Sequence, residues 1–81
     1  MNLTVRLFAG LKCENQDLDC RGKTEFSIAV SEGMTLKGFL AYIGISPELA
    51  KIVLVNALFQ PMDYKLVDGD DLAIFPPVGG G

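Results

Sequence analysis

The spacing of hydrophobic residues changes several times along this chain, and each change marks the edge of an element. From Met1 to Phe8, Leu3, Val5 and Leu7 alternate with Thr4, Arg6 and Phe8, the period of a half-buried strand. Between Gly10 and Lys23 the pattern dissolves into polar, turn-prone sequence, which predicts a loop of variable shape. Alternation resumes with Phe26, Ile28 and Val30 against Ser27, Ala29 and Ser31, so a second strand is expected to return antiparallel to the first.

After the Glu32-Gly33 turn the period becomes helical, with Leu36, Phe39, Leu40 and Ile43 on one face. Thr35 is placed to cap the helix, Met34 and Phe39 to form a hydrophobic staple, and Gly44 to close the C-terminus, giving a helix of roughly two turns in which Gly38 is a weak point. Ser46-Pro47-Glu48 then predicts a short helical turn. The apolar run Ile52 to Val55 predicts a central strand buried on both faces. Asn56 to Asp63 gives a tight turn and a short edge strand at Leu58 and Phe59, stopped by Pro61. Asp68-Gly69-Asp70 turns the chain into a last strand, Leu72 to Phe75.

Strand, strand, helix, strand, short strand, strand is the order of an α+β fold in which one helix lies across one face of a mixed sheet, the β-grasp or ubiquitin-like arrangement. Residues 1–75 form that domain and 76–81 an extended tail. The other face of the sheet is expected to meet water.

Composition narrows the chemistry. At 81 residues and 49% hydrophobic the chain supports one packed core, and a formal charge of −3 argues against nucleic acid and anionic membrane surfaces as partners and for a basic protein. The chain contains no histidine, so imidazole acid-base chemistry is excluded and no metal site is assigned. Cys13 and Cys20 cannot by themselves close a four-ligand zinc site, and they are expected as free or transiently oxidised thiols in a surface loop. Asp68, Asp70 and Asp71 suggest a cation cluster at first sight, but DGD is the ordinary composition of a turn. With neither a basic apolar leader nor a run of spanning length in view, the expected location is cytoplasmic.

The end of the chain has no such ordinary account. Pro76 and Pro77 lack an amide donor and send the chain out of the sheet in extended form. Val78 follows, and then Gly79, Gly80 and Gly81, which have no side chain to pack and stabilise nothing in a folded domain. A thin peptide of this kind suits a narrow channel in another protein, where the carboxylate of Gly81 meets the chemistry; glycines alone would equally suit an unpacked chain end.

With VDGDDLAIFPPVGGG preceded by VLVNALF, RLFAGL at Arg6 to Leu11 and SEGMTLKGFL before the helix, the chain resembles the MoaD/ThiS family of sulfur carriers, most of all its MoaD branch, the small subunit of molybdopterin synthase. The ending FPPVGGG, Phe75 to Gly81, is the specific part of this likeness; the other motifs are shared by many β-grasp domains. Gly79 stands where the family often has another small residue, and Lys12 to Lys23 departs from the acidic, helix-leaning segment expected there.

The resemblance implies a mechanism. A MoeB-like adenylating enzyme of the ubiquitin-activating type uses ATP to convert the Gly81 carboxylate to an acyl-adenylate. A sulfur donor such as a cysteine desulfurase or rhodanese then displaces AMP to leave a thiocarboxylate. The tail enters a MoaE-like large subunit and gives its sulfur to a cyclic pterin precursor, building the dithiolene of molybdopterin. The chain is then a co-substrate rather than a complete enzyme, binding no cofactor of its own. Gly81 carries the sulfur, Gly79 and Gly80 give a thin approach, and Pro76, Pro77 and Val78 aim and insert the tail.

Docking is expected on the open sheet face, because Phe8 and Phe75 are out of phase with the inward Leu7 and Ile74, and Phe59 either joins them or packs in a small satellite core. Two alternatives stay open. One is the same chemistry in another pathway, such as thiamin, cysteine, tungstopterin or tRNA thiolation. The other is a ubiquitin-like interaction or conjugation module.

Overall fold

A computed structural model describes residues 1–77. The elements are β1 (Asn2–Leu7), β2 (Glu25–Ala29), α1 (Leu36–Ile43), β3 (Ile52–Val55), β4 (Leu58–Phe59) and β5 (Asp71–Phe75). They form one mixed sheet in the order β2-β1-β5-β3-β4, with β1 and β5 parallel and the other neighbours antiparallel. This is the β-grasp arrangement expected from the element order.

Alternation sets the two faces. Leu3, Val5 and Leu7 are buried, as are Leu72 and Ile74 beside them in β5, and α1 covers this face with Leu36, Phe39, Leu40 and Ile43. Burying each of these four helix side chains is worth roughly 1.5–3 kcal/mol, far more than the intrinsic helix preference of eight residues.

Both ends of α1 are tied to the chain around them. At the N-terminus Leu36 and Lys37 donate to the carbonyls of Tyr64 and Met62, Gly38 donates to Thr35 Oγ1, and Phe39 donates to the Thr35 carbonyl. At the C-terminus Gly44 (φ 83°) and Ile45 donate back to Ala41 and Leu40, while Asn15 Nδ2 and Glu14 N–H reach the carbonyls of Tyr42 and Ile43. The N–H groups of Leu36, Lys37 and Gly38 and the carbonyls from Leu40 to Ile43, which a helix end leaves open, thus have partners.

Two expectations are corrected here. The central strand is β5, whose Leu72, Ala73 and Ile74 are all buried, whereas β3 lies one place from the edge and alternates, with Val53 and Val55 buried and Ile52 and Leu54 half-buried. A short apolar run cannot by itself tell burial on both faces from a strand whose second face is apolar but open.

The segment after β1 is a loop, as expected, but its cysteines are not free surface thiols. Cys13 and Cys20 are 0% and 4% exposed, join the core and are bonded to each other as a disulfide, with Cα atoms 5.7 Å apart. Cys13 also exchanges backbone hydrogen bonds with Lys23 and Gly22, which closes the loop at its neck. The sequence around the two cysteines is polar enough to hide this, because only these residues and Leu11 turn fully inward while their neighbours face water.

Candidate functional site

The tail leaves the sheet where β1 and β5 end together. Phe8 N–H donates to the Ile74 carbonyl at 3.0 Å, and Leu11 N–H returns to the Phe8 carbonyl across a turn in which Ala9 and Gly10 have φ of 55° and 91°. That geometry holds Phe8 over Phe75: the rings stack with centroids 4.5 Å apart and planes within 7° of parallel. Phe75 is half-buried and Phe8 is 37% exposed, so the pair forms an aromatic platform at the root of the tail. Pro76 is half-buried and Pro77 exposed. Val78, Gly79, Gly80 and Gly81 lie outside the described residues.

From the platform an apolar strip crosses the open face. The register sets Ile52 beside Phe75, Leu54 beside Ala73, and Phe59 beside Leu54. Phe59 is 75% exposed, so it belongs to this face and not to a satellite core. Its position follows from the turn before it: Asn56 and Ala57 have φ of 52° and 69°, the left-handed pair of a two-residue hairpin. Such a turn fixes the pairing of Val55 with Leu58 and of Leu54 with Phe59. The structure thus brings Phe8, Phe59 and Phe75 to one face. Ile52 and Leu54 are the members that sequence reasoning missed, although the two-residue turn carried the signal that could have found Leu54.

Polar residues bound the strip on the β1 side, where Arg6 and Asp71 form an exposed ion pair at 3.3 Å. Pairs of this kind contribute about 0–1 kcal/mol and more directly keep that part of the face solvated.

The aspartates behave as turn and core groups. Asp70 is 1% exposed and accepts from Asn56 Nδ2 at 2.9 Å, Val67 N–H at 2.9 Å and Tyr64 Oη at 3.3 Å. Asp68 accepts from Asn2 N–H at 2.6 Å, and Asp71 is engaged by Arg6. Partial desolvation, then the neighbouring Asp70 charge and its hydrogen bond, push the Tyr64 phenol above its ordinary value of 10.0.

A small mixed sheet grasping one helix, with an apolar open face at the root of a proline-led glycine tail, defines a ubiquitin-like protein. The ThiS family model matches residues 5–81, and the chain belongs to that family. Similar solved structures include SAMP1 from Haloferax volcanii, 25% identical with a TM-score of 0.66, all of both chains being covered. Another is a chain of the complex of subunits 1 and 2 of molybdopterin-converting factor from Helicobacter pylori, 23% identical with a TM-score of 0.59, again over all of both chains. The second likeness speaks to the fold. The fold is that of the ThiS/MoaD-like, ubiquitin-like sulfur carriers.

Proposed function

We propose that this chain is the sulfur-carrying small subunit of a molybdopterin synthase. The observation that carries the reading is the joining of two features: the open-face apolar strip of Phe8, Phe75, Ile52, Leu54 and Phe59, and the FPPVGGG tail that starts from it. A docking surface beside the root of a side-chain-free peptide lets a partner hold the domain while the tail reaches inward.

The Gly81 carboxylate attacks the α-phosphorus of ATP in the adenylating partner, pyrophosphate leaves, and the acyl-adenylate forms. A persulfide from the sulfur donor attacks the acyl carbon and AMP leaves. Reduction of the resulting acyl disulfide by a thiol frees the thiocarboxylate, and its polarisable anionic sulfur is then the nucleophile that the pterin precursor meets in the large subunit. The carrier supplies the reactive end and the handle; its partners supply acid, base and oxyanion stabilisation. The complex of two subunits among the similar structures supports a large-subunit partner of the same kind. A ubiquitin-like conjugation module, which the ubiquitin-like fold and the glycine end would also suit, is the second reading.

Intact-mass measurement after incubation with ATP, sulfide and the cognate adenylating enzyme tests the proposal. A gain equal to replacing one oxygen by sulfur, located on Gly81 and lost on mixing with large subunit and pterin precursor, is expected. Appending one residue after Gly81 abolishes the gain and leaves folding intact. A Gly81 that is joined to lysines of other proteins and never carries sulfur overturns the reading.

A further inference from the structure

The two edges of the sheet are treated differently. β4 is two residues long and is followed by Pro61, which blunts that edge against strand pairing. β2 is five residues long, contains neither proline nor lysine, and pairs with β1 in unbroken register from Glu25 to Ala29. Hydrogen bonds from Met1 N to Val30, Val30 N–H to Met1 and Leu7 N–H to Thr24 fix the phase of the ladder. The N–H and C=O groups of Phe26 and Ile28 therefore face β1, and those of Glu25, Ser27 and Ala29 face outward. Among the described residues none of these outward groups has a partner.

Beneath that edge, between β2 and α1, lie two hollows. One, of about 350 Å³, is lined by Val30, Met34 and Tyr42; the other, of about 250 Å³, by Leu18, Asp19, Ile28 and Tyr42. They share Ala29 and Tyr42, one extending to Ser27 and the other to Ser31. Their succession along β2 matches the spacing of roughly 7 Å between side chains i and i+2 on one face of an extended strand.

We infer that the outer edge of β2 is a second docking site, separate from the Phe8–Phe75 face, which takes an extended peptide of a partner protein as an added strand, with two alternate apolar side chains in the hollows and basic residues flanking them. Charge selects the flanks. Asp19 lines one hollow, Glu25 and Glu32 stand at the two ends of the edge, these three carboxylates outnumber Arg21 and Lys23 in the neighbouring loop, and the whole chain carries −3. A second copy of this chain fits poorly, since Phe26 and Ile28 of its own β2 are packed against its own core and are not free to fill the hollows. Added-strand recognition draws affinity from main-chain bonds and specificity from alternate side-chain pockets, and both components are present here.

The test uses the full chain and a capped hexapeptide, Lys-Val-Thr-Ile-Thr-Lys, followed by amide NMR. Saturable binding with a dissociation constant below millimolar is expected, with shifts at Glu25, Ser27, Ala29 and Tyr42 and slowed exchange of the Ser27 and Ala29 amides. The same peptide methylated on alternate backbone nitrogens, or with Glu in place of Lys, binds at least about tenfold more weakly. Ser27→Pro, which removes an outward N–H and no internal bond, folds and loses binding, whereas Phe59→Ala binds as well as the parent. Shifts confined to the Phe59 and Phe75 face, equal affinity of the methylated peptide, no saturation at millimolar peptide, or a dimer of the chain closing over β2 each overturn the proposal. Because no step involves Gly81, these results are independent of whether the tail carries sulfur.

Discussion

At the scale of single residues, Asp70 is the group on which most depends. It ties the β3–β4 turn through Asn56, the approach to β5 through Val67, and Tyr64, which itself accepts the first helical N–H through its carbonyl. Asp70→Ala leaves Val67 N–H and Asn56 Nδ2 without their acceptor, and a loss of about 2–3 kcal/mol is expected in urea unfolding. Tyr64 holds its proton more tightly folded than unfolded, so its contribution to stability is full below pH 10.0 and fades as pH rises through the higher folded value. Alkaline titration followed by phenolate absorbance should show one tyrosine transition moving down in Asp70→Asn. Ala57 makes the opposite case, a side chain held at φ 69° where glycine suits the turn better. Ala57→Gly should stabilise by about 0.5–1 kcal/mol, read as a raised melting temperature.

At the scale of elements, α1 shows how a helix too short to form alone is held by what surrounds it. Its apolar face is buried on the sheet, its first N-terminal donors are met by the carbonyls of Met62 and Tyr64, and the carbonyls of Tyr42 and Ile43 at its C-terminus by the loop that the disulfide braces. Cysteines seven positions apart close a loop whose cross-link is worth about 2–3 kcal/mol by chain entropy. Replacing both by serine should lower stability by at least that amount, since the site is buried, and hydrogen exchange should quicken first at Glu14 and the last turn of α1. Asn15→Ala, which removes the bond to the Tyr42 carbonyl and the Oδ1 acceptor of the Asp17 N–H, is expected to cost about 1–2 kcal/mol in urea unfolding.

For the whole molecule the two faces of the sheet have separate roles: one makes the core with α1, and the other presents an apolar strip ending in the Phe8–Phe75 platform. Phe59→Asp, at a side chain 75% exposed, should change unfolding free energy by no more than about 0.5 kcal/mol while weakening large-subunit binding at least about tenfold, measured by calorimetry. Phe75→Ala should also weaken binding, with a larger loss of stability because it removes one ring of the stack. An affinity unchanged in both variants would place docking elsewhere.

Local periodicity determined a large part of this protein. Alternation identified β1 and β2, helical spacing with Thr35 and Gly44 delimited α1, and out-of-phase aromatics marked Phe8 and Phe75 as open-face residues, because each depends only on a repeat within a few neighbours. The FPPVGGG ending pointed to a tail function in the same local way. Which strand lies in the middle was decided only by the tertiary structure, since IVLV in β3 and DLAIF in β5 differ little in hydrophobicity and their burial depends on which strands pair beside them. The inward turn of Cys13, Cys20 and Asp70 was decided there as well, because each has its partner across a loop or a turn, and such pairing leaves no period in the sequence.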